Sequence, residues 1–203
     1  MFKSFKTKLF VIFMSITLSL SVITIFFLYN IGIKGQLEAL KKNVVSIAVT
    51  TSLIIDPEIH KKLNPDQLVV SEQLDDLNLV LHNIAESNPD ITYIYTLVET
   101  KEPTKCKFVL ASEDYGKKMI DPEDVVYDVS DKPELRSKAA FLEPVATKKF
   151  YRDKWGEFLT GYAPLKDSSG KTIAVVGVDM SAKKVEEFQR NVKYWSVMVF
   201  LAN

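Results

Sequence analysis

The chain has 203 residues, 47% of them hydrophobic, with 26 basic and 26 acidic side chains and no formal net charge at neutral pH. That length holds one ordinary domain plus membrane segments, and the balanced charge, with no long basic run, excludes a nucleic-acid binder. Cys106 is the only cysteine, which excludes an internal disulfide framework and any multi-cysteine metal site.

Met1 to Lys8 carries Lys3, Lys6 and Lys8, and Leu9 to Tyr29 then runs for 21 positions without a charged residue. As a helix this stretch is about 30 Å long, the thickness of a bilayer's hydrocarbon core. The apolar core of a cleavable signal peptide is usually only about 7 to 15 residues, and no A-x-A site follows, so an uncleaved anchor is expected at 9–29. Lys34, Lys41 and Lys42 nearly balance the three lysines before the segment, and charge alone does not orient it.

Ile33, Leu37, Leu40, Val44, Ile47, Thr51 and Ile54 recur at spacings of four and three along a helix expected to end near Asp56-Pro57. This is a heptad seam. Its upper half is expected to lie on the domain's own sheet. Nearer the membrane, Ile33, Leu37 and Leu40 need a partner helix, which predicts a parallel homodimer.

Asn64-Pro65-Asp66 interrupts the pattern, and Ser71 to Glu86 forms a second helix with Leu74, Leu77, Leu81 and Ile84 inward. Ile91 to Val98 alternates strictly, placing Ile91, Tyr93, Tyr95 and Leu97 on one face, and Lys107 to Ala111 is its antiparallel partner across a turn at Pro103. From Ser112 to Pro144 the pattern is irregular apart from a short helix at Pro133 to Leu142, a crossover long enough to wall a pocket. The cluster Asp121, Glu123, Asp124 and Asp128 lacks the glycine and terminal glutamate of an EF-hand, so a solvated acidic loop is expected and no metal. Val145 to Tyr151 reads as a third strand.

The clearest element is a hairpin. Glu157 to Leu165 and Thr172 to Met180 flank Asp167-Ser168-Ser169-Gly170, whose Asx and glycine chemistry suits a reversal. With Ser168 and Ser169 at the tip, Tyr162 faces Val175, Thr160 faces Gly177 and Phe158 faces Asp179, all six on one face. A carboxylate in such a strand is costly to bury without a partner. Either Asp179 lies at a solvated strand end and starts a helix at Ser181, or it belongs to a site. After Ser181 a charged helix with Val185 and Phe188 on its apolar side leads into Tyr194-Trp195. Residues 194–203 cover only about 15 Å as helix, so a second transmembrane helix is expected to begin there and continue beyond Asn203.

No catalytic constellation emerges. Gly170-Lys171-Thr172 lacks the first glycine of a phosphate loop, since position 165 is Leu165, and it leads into a strand. Ser181-Ala182-Lys183-Lys184 fits Ser-x-x-Lys without its partner motifs. His60 and His82 lack metal-ligand spacing, and the chain is not expected to be an enzyme or to need a cofactor.

Trp155-Gly156, Thr160-Gly161-Tyr162-Ala163-Pro164-Leu165, the Asp-Ser-Ser-Gly turn and Val176-Gly177-Val178-Asp179-Met180-Ser181 follow one another in an order that resembles the closing hairpin of the extracytoplasmic PAS-like modules called Cache or PDC domains. Asn88-Pro89-Asp90-Ile91-Thr92-Tyr93-Ile94-Tyr95 is similar to a second signature of that family. The resemblance spans nearly the whole chain. It implies an α+β fold, a PAS-like antiparallel five-stranded sheet with a long N-terminal helix, flanked by transmembrane helices. Residues 30–193 would then be a single sensor domain outside a bacterial inner (cytoplasmic) membrane and 1–8 a cytoplasmic N-terminus, with the output, a histidine kinase, diguanylate cyclase or chemotaxis transducer, beyond this sequence.

The resemblance also implies a site. Asp179 would anchor a small polar solute, with Thr160 and Tyr162 on its face, Tyr93 and Tyr95 on the neighbouring strand, and Tyr151, Arg152 and Trp155 at the rim. In related modules that bind amino acids, an aspartate placed like Asp179 accepts hydrogen bonds from the amine, while aromatic and basic residues before the hairpin hold the carboxylate. Here Trp155 is followed by Gly156 where those modules carry another aromatic, which counts against an amino acid; Arg152 is the candidate counter-charge. The rival reading is a membrane-anchored dimerisation or protein-interaction module with no small ligand.

Overall fold

In the computed structural model the described residues are 4–66, 69–183 and Arg190, without the side chains of Tyr29 and Ile33. The second membrane segment expected at 194–203, the helix carrying Val185 and Phe188, and the place of Ile33 in the seam lie outside them.

One helix, α1 (Phe5–Ile54), holds both the predicted membrane segment and the seam. It is long and apolar enough to cross a membrane, with an 18-residue window of mean hydropathy 2.5, none of it buried. Ser15, Thr17, Ser19, Ser21 and Thr24 each donate to a carbonyl three or four residues back at 2.8–3.0 Å, so these hydroxyls need no water.

Residues Leu40–Val185 form a compact unit of their own. After α1 come α2 (Pro57–His60), α3 (Glu72–Glu86), β1 (Ile91–Glu99), β2 (Lys105–Ala111), a 3-10 turn (Ser112–Asp114), α4 (Pro122–Val125) and β3 (Val126–Asp128). Then follow α5 (Pro133–Arg136), α6 (Ala139–Leu142), β4 (Val145–Ala146), β5 (Tyr151–Asp153), β6 (Gly156–Lys166) and β7 (Thr172–Ser181). Asp56 and Ser71 start α2 and α3 by accepting the hydrogen bonds of orphan backbone N–H groups. The fold is α+β, and every strand pairing is antiparallel.

The sheet has seven strands in the order β3-β2-β1-β7-β6-β4, with β5 also on β6, where five were expected. Two differences account for this. A short β3 pairs with β2, and the strand expected at Val145 to Tyr151 is broken: Thr147 bonds Thr160 O through its backbone N–H at 2.8 Å, and the chain then leaves the ladder until Tyr151. The helix expected at Pro133 to Leu142 is likewise split into α5 and α6, because Lys138 takes a left-handed conformation, φ 62°.

The sheet is covered on both faces. On one, Val44, Ala48, Leu74 and Leu81 from α1 and α3 pack against Ile94, Ala163, Val176 and Val178. On the other, the crossover supplies Tyr127, Val129, Leu135 and Phe141 against Tyr95, Leu97, Tyr162 and Val175. Strict alternation was expected to put Ile91 on the Tyr93 face. A bulge at Thr92 instead sends Ile91 to the helix-side core beside Met180. In the seam, Val44 and Thr51 are buried and Leu40 and Ile47 pack on the same core, whereas Ile54 is 54% exposed. The domain's own sheet therefore takes more of the seam than expected, leaving less of it for a partner.

His60 ties α2 to the sheet: its Nε2 lies 2.9 Å from Thr96 Oγ1, and burial lowers its pKa to about 4. Gly161 fixes how closely α1 approaches, since a Cβ there would meet Val45 N at 2.5 Å and Val44 O at 2.6 Å. Backbone cannot yield as a side-chain tip can. Gly161→Ala should lower unfolding free energy by about 3 kcal/mol, the upper range for overpacking; a loss below about 0.5 kcal/mol in a denaturant titration would show that α1 does not bear on β6 in this way.

Candidate functional site

The hairpin places its residues by two small irregularities. Gly170 N–H donates to Asp167 O at 2.9 Å, and Asp167 N–H to Lys171 O at 2.9 Å, so the loop has three residues and Gly170 sits at φ 83°. A further register shift falls between Leu165 and Lys166, where Ile173 is extra. Each irregularity moves the pairing by one residue. Together they move it by two, which keeps every side chain on the expected face while changing its partner. Thr160 is thereby opposite Asp179, and Tyr162 opposite Gly177, instead of Gly177 and Val175. Asp167 secures the turn: it accepts from Ser169 and Lys171 N–H and pairs with Lys61 at 2.9 Å, which together hold its carboxyl well below the usual range.

Asp179 is 4% exposed, within β7 and not at a solvated strand end, so the helix-start reading does not hold. Its Oδ1 accepts from Thr160 Oγ1 at 2.5 Å and Tyr95 Oη at 3.2 Å, with Tyr151 Oη at 3.4 Å. Thr160 spends its proton on Asp179, so the Tyr151 hydroxyl, 2.8 Å from Thr160 Oγ1, is the donor of that pair. No hydrogen bond reaches Oδ2 from the described residues. Burial pushes the Asp179 pKa up to about 7, against the pull of the hydroxyl donors and with the help of nearby Asp153. Gly177 makes the arrangement possible, because a Cβ there would come within 2.8 Å of Tyr95 Oη and drive the ring off Asp179.

Beside Asp179 lies a cavity on the sheet face turned away from the helices. Tyr93 and Tyr95 of β1, Phe108 of β2, Tyr127 of β3 and Trp155 wall it, and Glu113, Asp114, Asp124 and Asp153 complete its lining with Asp179. Phe108 stands edge-on to Tyr95 and to Trp155, with centroids 5.2 and 5.6 Å apart. Its clear volume is about 30 Å³, room for one or two waters.

Of the eight residues singled out from the sequence, Asp179, Tyr93, Tyr95 and Trp155 line this cavity, while Thr160 and Tyr151 hold Asp179 from behind. Tyr162 is fully buried among the same phenols, its hydroxyl without a hydrogen bond of good geometry among the described residues. Arg152 is elsewhere: its side chain is 79% exposed and pairs with Glu157 at 2.8 Å, because neighbours on a strand point to opposite faces and Tyr151 takes the inner one. Phe108, Tyr127 and Asp153 were missed. Tyr127 donates to Asp153 at 3.0 Å, a contact between two short edge strands with no local sequence signal. The acidic run 121–128 is only partly a solvated loop, since Asp124 lines the cavity and pairs with Lys154. Among the described residues no cluster of His, Cys, Asp and Glu is arranged to hold a metal ion.

No family model and no curated protein matches the chain. Among solved structures it is similar to the extracellular domain of mmHK1S-Z3, provisionally assigned as a histidine kinase, at 18% identity and a TM-score of 0.44, covering 78% of this chain and 60% of that one. It is also similar to the sensory domain of the Campylobacter jejuni chemoreceptor Tlp3 with isoleucine bound, at 15% identity and TM-score 0.40, covering 77% of this chain and 65% of that one. The periplasmic sensory domain of Tlp1 from the same organism matches at 12% identity and TM-score 0.35, over 77% of this chain and 57% of that one. The chain thus spans between 57% and 65% of the length of these three structures. The similarities are distant.

Two buried groups give opposite pH slopes to folding stability. Asp179 keeps its proton in the folded state up to about pH 7, whereas an unfolded aspartate releases it near 3.8, so stability falls as pH rises between those values. His60 stays neutral in the folded state down to about pH 4 but charges near 6.5 when unfolded, so its contribution is lost as pH falls through that window. Comparing the parent with Asp179→Asn cancels the histidine. The variant should gain on the parent by a few kcal/mol between pH 4 and pH 8, read as the difference in unfolding free energy. A difference independent of pH would mean that Asp179 is not buried as described.

Proposed function

We propose that the chain is the extracytoplasmic sensor region of a bacterial membrane signal-transduction receptor, anchored by α1 in the inner membrane and responding to a small polar solute held against Asp179. One observation carries the reading: a carboxylate buried in the centre of an apolar sheet, with one oxygen held by protein hydroxyls and the other left for the adjoining cavity. A buried carboxylate costs the fold stability where an apolar residue would not, so its presence there points to binding. The hairpin and Asn-Pro-Asp motifs that resemble Cache domains support the same conclusion, and no catalytic task is assigned to the chain itself.

The route from site to helix is short. Thr160, which touches Asp179, and Gly161, against which Val44 of α1 packs, are neighbours on β6 with side chains on opposite faces. A solute that displaces Thr160 therefore acts on the helix-side contact through one peptide unit. The cavity has little free volume, so a solute larger than about two waters enters by displacing the Tyr93 or Trp155 ring. The same proposal includes a parallel homodimer through the membrane-proximal part of the seam at Ile33 and Leu37, and an output such as a kinase, cyclase or chemotaxis transducer on the cytoplasmic side.

The full chain in detergent micelles, sedimenting as a dimer, should show a melting temperature that rises with the logarithm of concentration for at least one solute in a panel of amino acids, carboxylates and amines. If no member of the panel shifts it, the chain is an interaction module without a small ligand.

A further inference from the structure

Taking the sensor reading as given, we propose that the cavity selects a small organic ammonium ion with no carboxylate of its own, such as a short alkylamine, over a zwitterionic amino acid. Five carboxylates line it, those of Glu113, Asp114, Asp124, Asp153 and Asp179, and no lysine, arginine or histidine does. Two of the five are answered by cations, Asp114 by Lys117 and Asp124 by Lys154, each at 2.7 Å. Among the described residues Glu113, Asp153 and Asp179 have no cation in ion-pair contact. Asp153 spends its oxygens on the Tyr127 hydroxyl and Trp155 N–H, each at 3.0 Å. Glu113 is exposed to solvent, whereas Asp179 is only 4% exposed and lines the cavity with an oxygen that no described group engages.

The walls suit the same ion. The rings of Tyr93, Tyr95, Phe108, Tyr127 and Trp155 present π-faces and edges around the carboxylates, and a ring face attracts an ammonium group. Two of these rings already accept cations from the protein, with Lys154 Nζ 4.4 Å from the Trp155 centroid and Lys132 Nζ 5.8 Å from that of Tyr127. A ligand carboxylate would meet only like charge. Arg152, the one basic side chain near the hairpin that the sequence offered for that task, is committed to Glu157 outside the cavity. The clear volume of about 30 Å³ takes the ammonium head, and a short alkyl group follows by displacing the Tyr93 or Trp155 ring.

Ethylammonium and L-alanine are a matched pair, since one is the other without its carboxylate. Titrating the full chain in micelles at pH 8, with thermal shift and calorimetry as readouts, ethylammonium chloride should half-saturate at a concentration at least tenfold lower than L-alanine. Sodium propionate should do no more than sodium chloride. Asp179→Asn, still folded by circular dichroism, should weaken ethylammonium binding roughly ten- to hundredfold, the loss expected of one charged hydrogen bond. Arg152→Gln should leave it unchanged. If alanine or propionate binds as tightly as ethylammonium, or if another member of the wider panel binds while ethylammonium matches sodium chloride, the ammonium assignment is overturned and the sensor reading stands. If nothing in the panel binds, both fall.

Discussion

A carboxylate buried in the middle of an apolar sheet is the constraint around which this domain is built. Taking a charge out of water costs several kcal/mol unless hydrogen bonds replace the lost hydration. The fold meets that cost by setting the Thr160 and Tyr95 hydroxyls on one oxygen of Asp179, with the Tyr151 hydroxyl donating to Thr160 behind them, and by letting the group hold its proton up to about pH 7. Each hydroxyl comes from a different strand. The network therefore requires β1, β5, β6 and β7 to be in register at once, and a slip of one residue in any pairing would break it.

Small residues make the register sterically possible. Gly177 clears the space in which the Tyr95 ring crosses β7, and Gly161, on the opposite face of β6, admits the backbone of α1. These two glycines lie on neighbouring strands, one serving the polar face and one the helix face. The proposed binding and transmission routes thus share a single pair of strands, the most extensively paired in the sheet. The crossover closes the polar face, and its buried Lys132, stacked on Tyr151, braces the ring that reaches Asp179.

The hairpin, the two long helices α1 and α3 and the polar face were legible because each rests on local periodicity or turn chemistry. The face carrying Thr160, Tyr162 and Asp179 was read correctly although the pairing was not, since the three-residue loop and the Ile173 bulge displace the register by an even number. The Thr92 bulge changes the register by one, and there the reading of Ile91 failed. Tyr127 and Asp153 stayed hidden because their approach is set by long-range pairing of the short strands β3 and β5, and Phe108 because the cavity it walls is completed by those two strands. Arg152 was misplaced for a related reason: a basic residue beside an aromatic rim looks like a counter-charge until strand alternation decides which of two neighbours points inward.

The most direct test is the ionisation of Asp179 itself. In the full chain labelled with carbon-13 at aspartate carboxyl carbons, and with the signal identified by its loss in Asp179→Asn, the resonance should titrate with a midpoint near pH 7. A midpoint near 4, that of an ordinary solvated aspartate, would contradict the burial and the hydroxyl network on which the account depends.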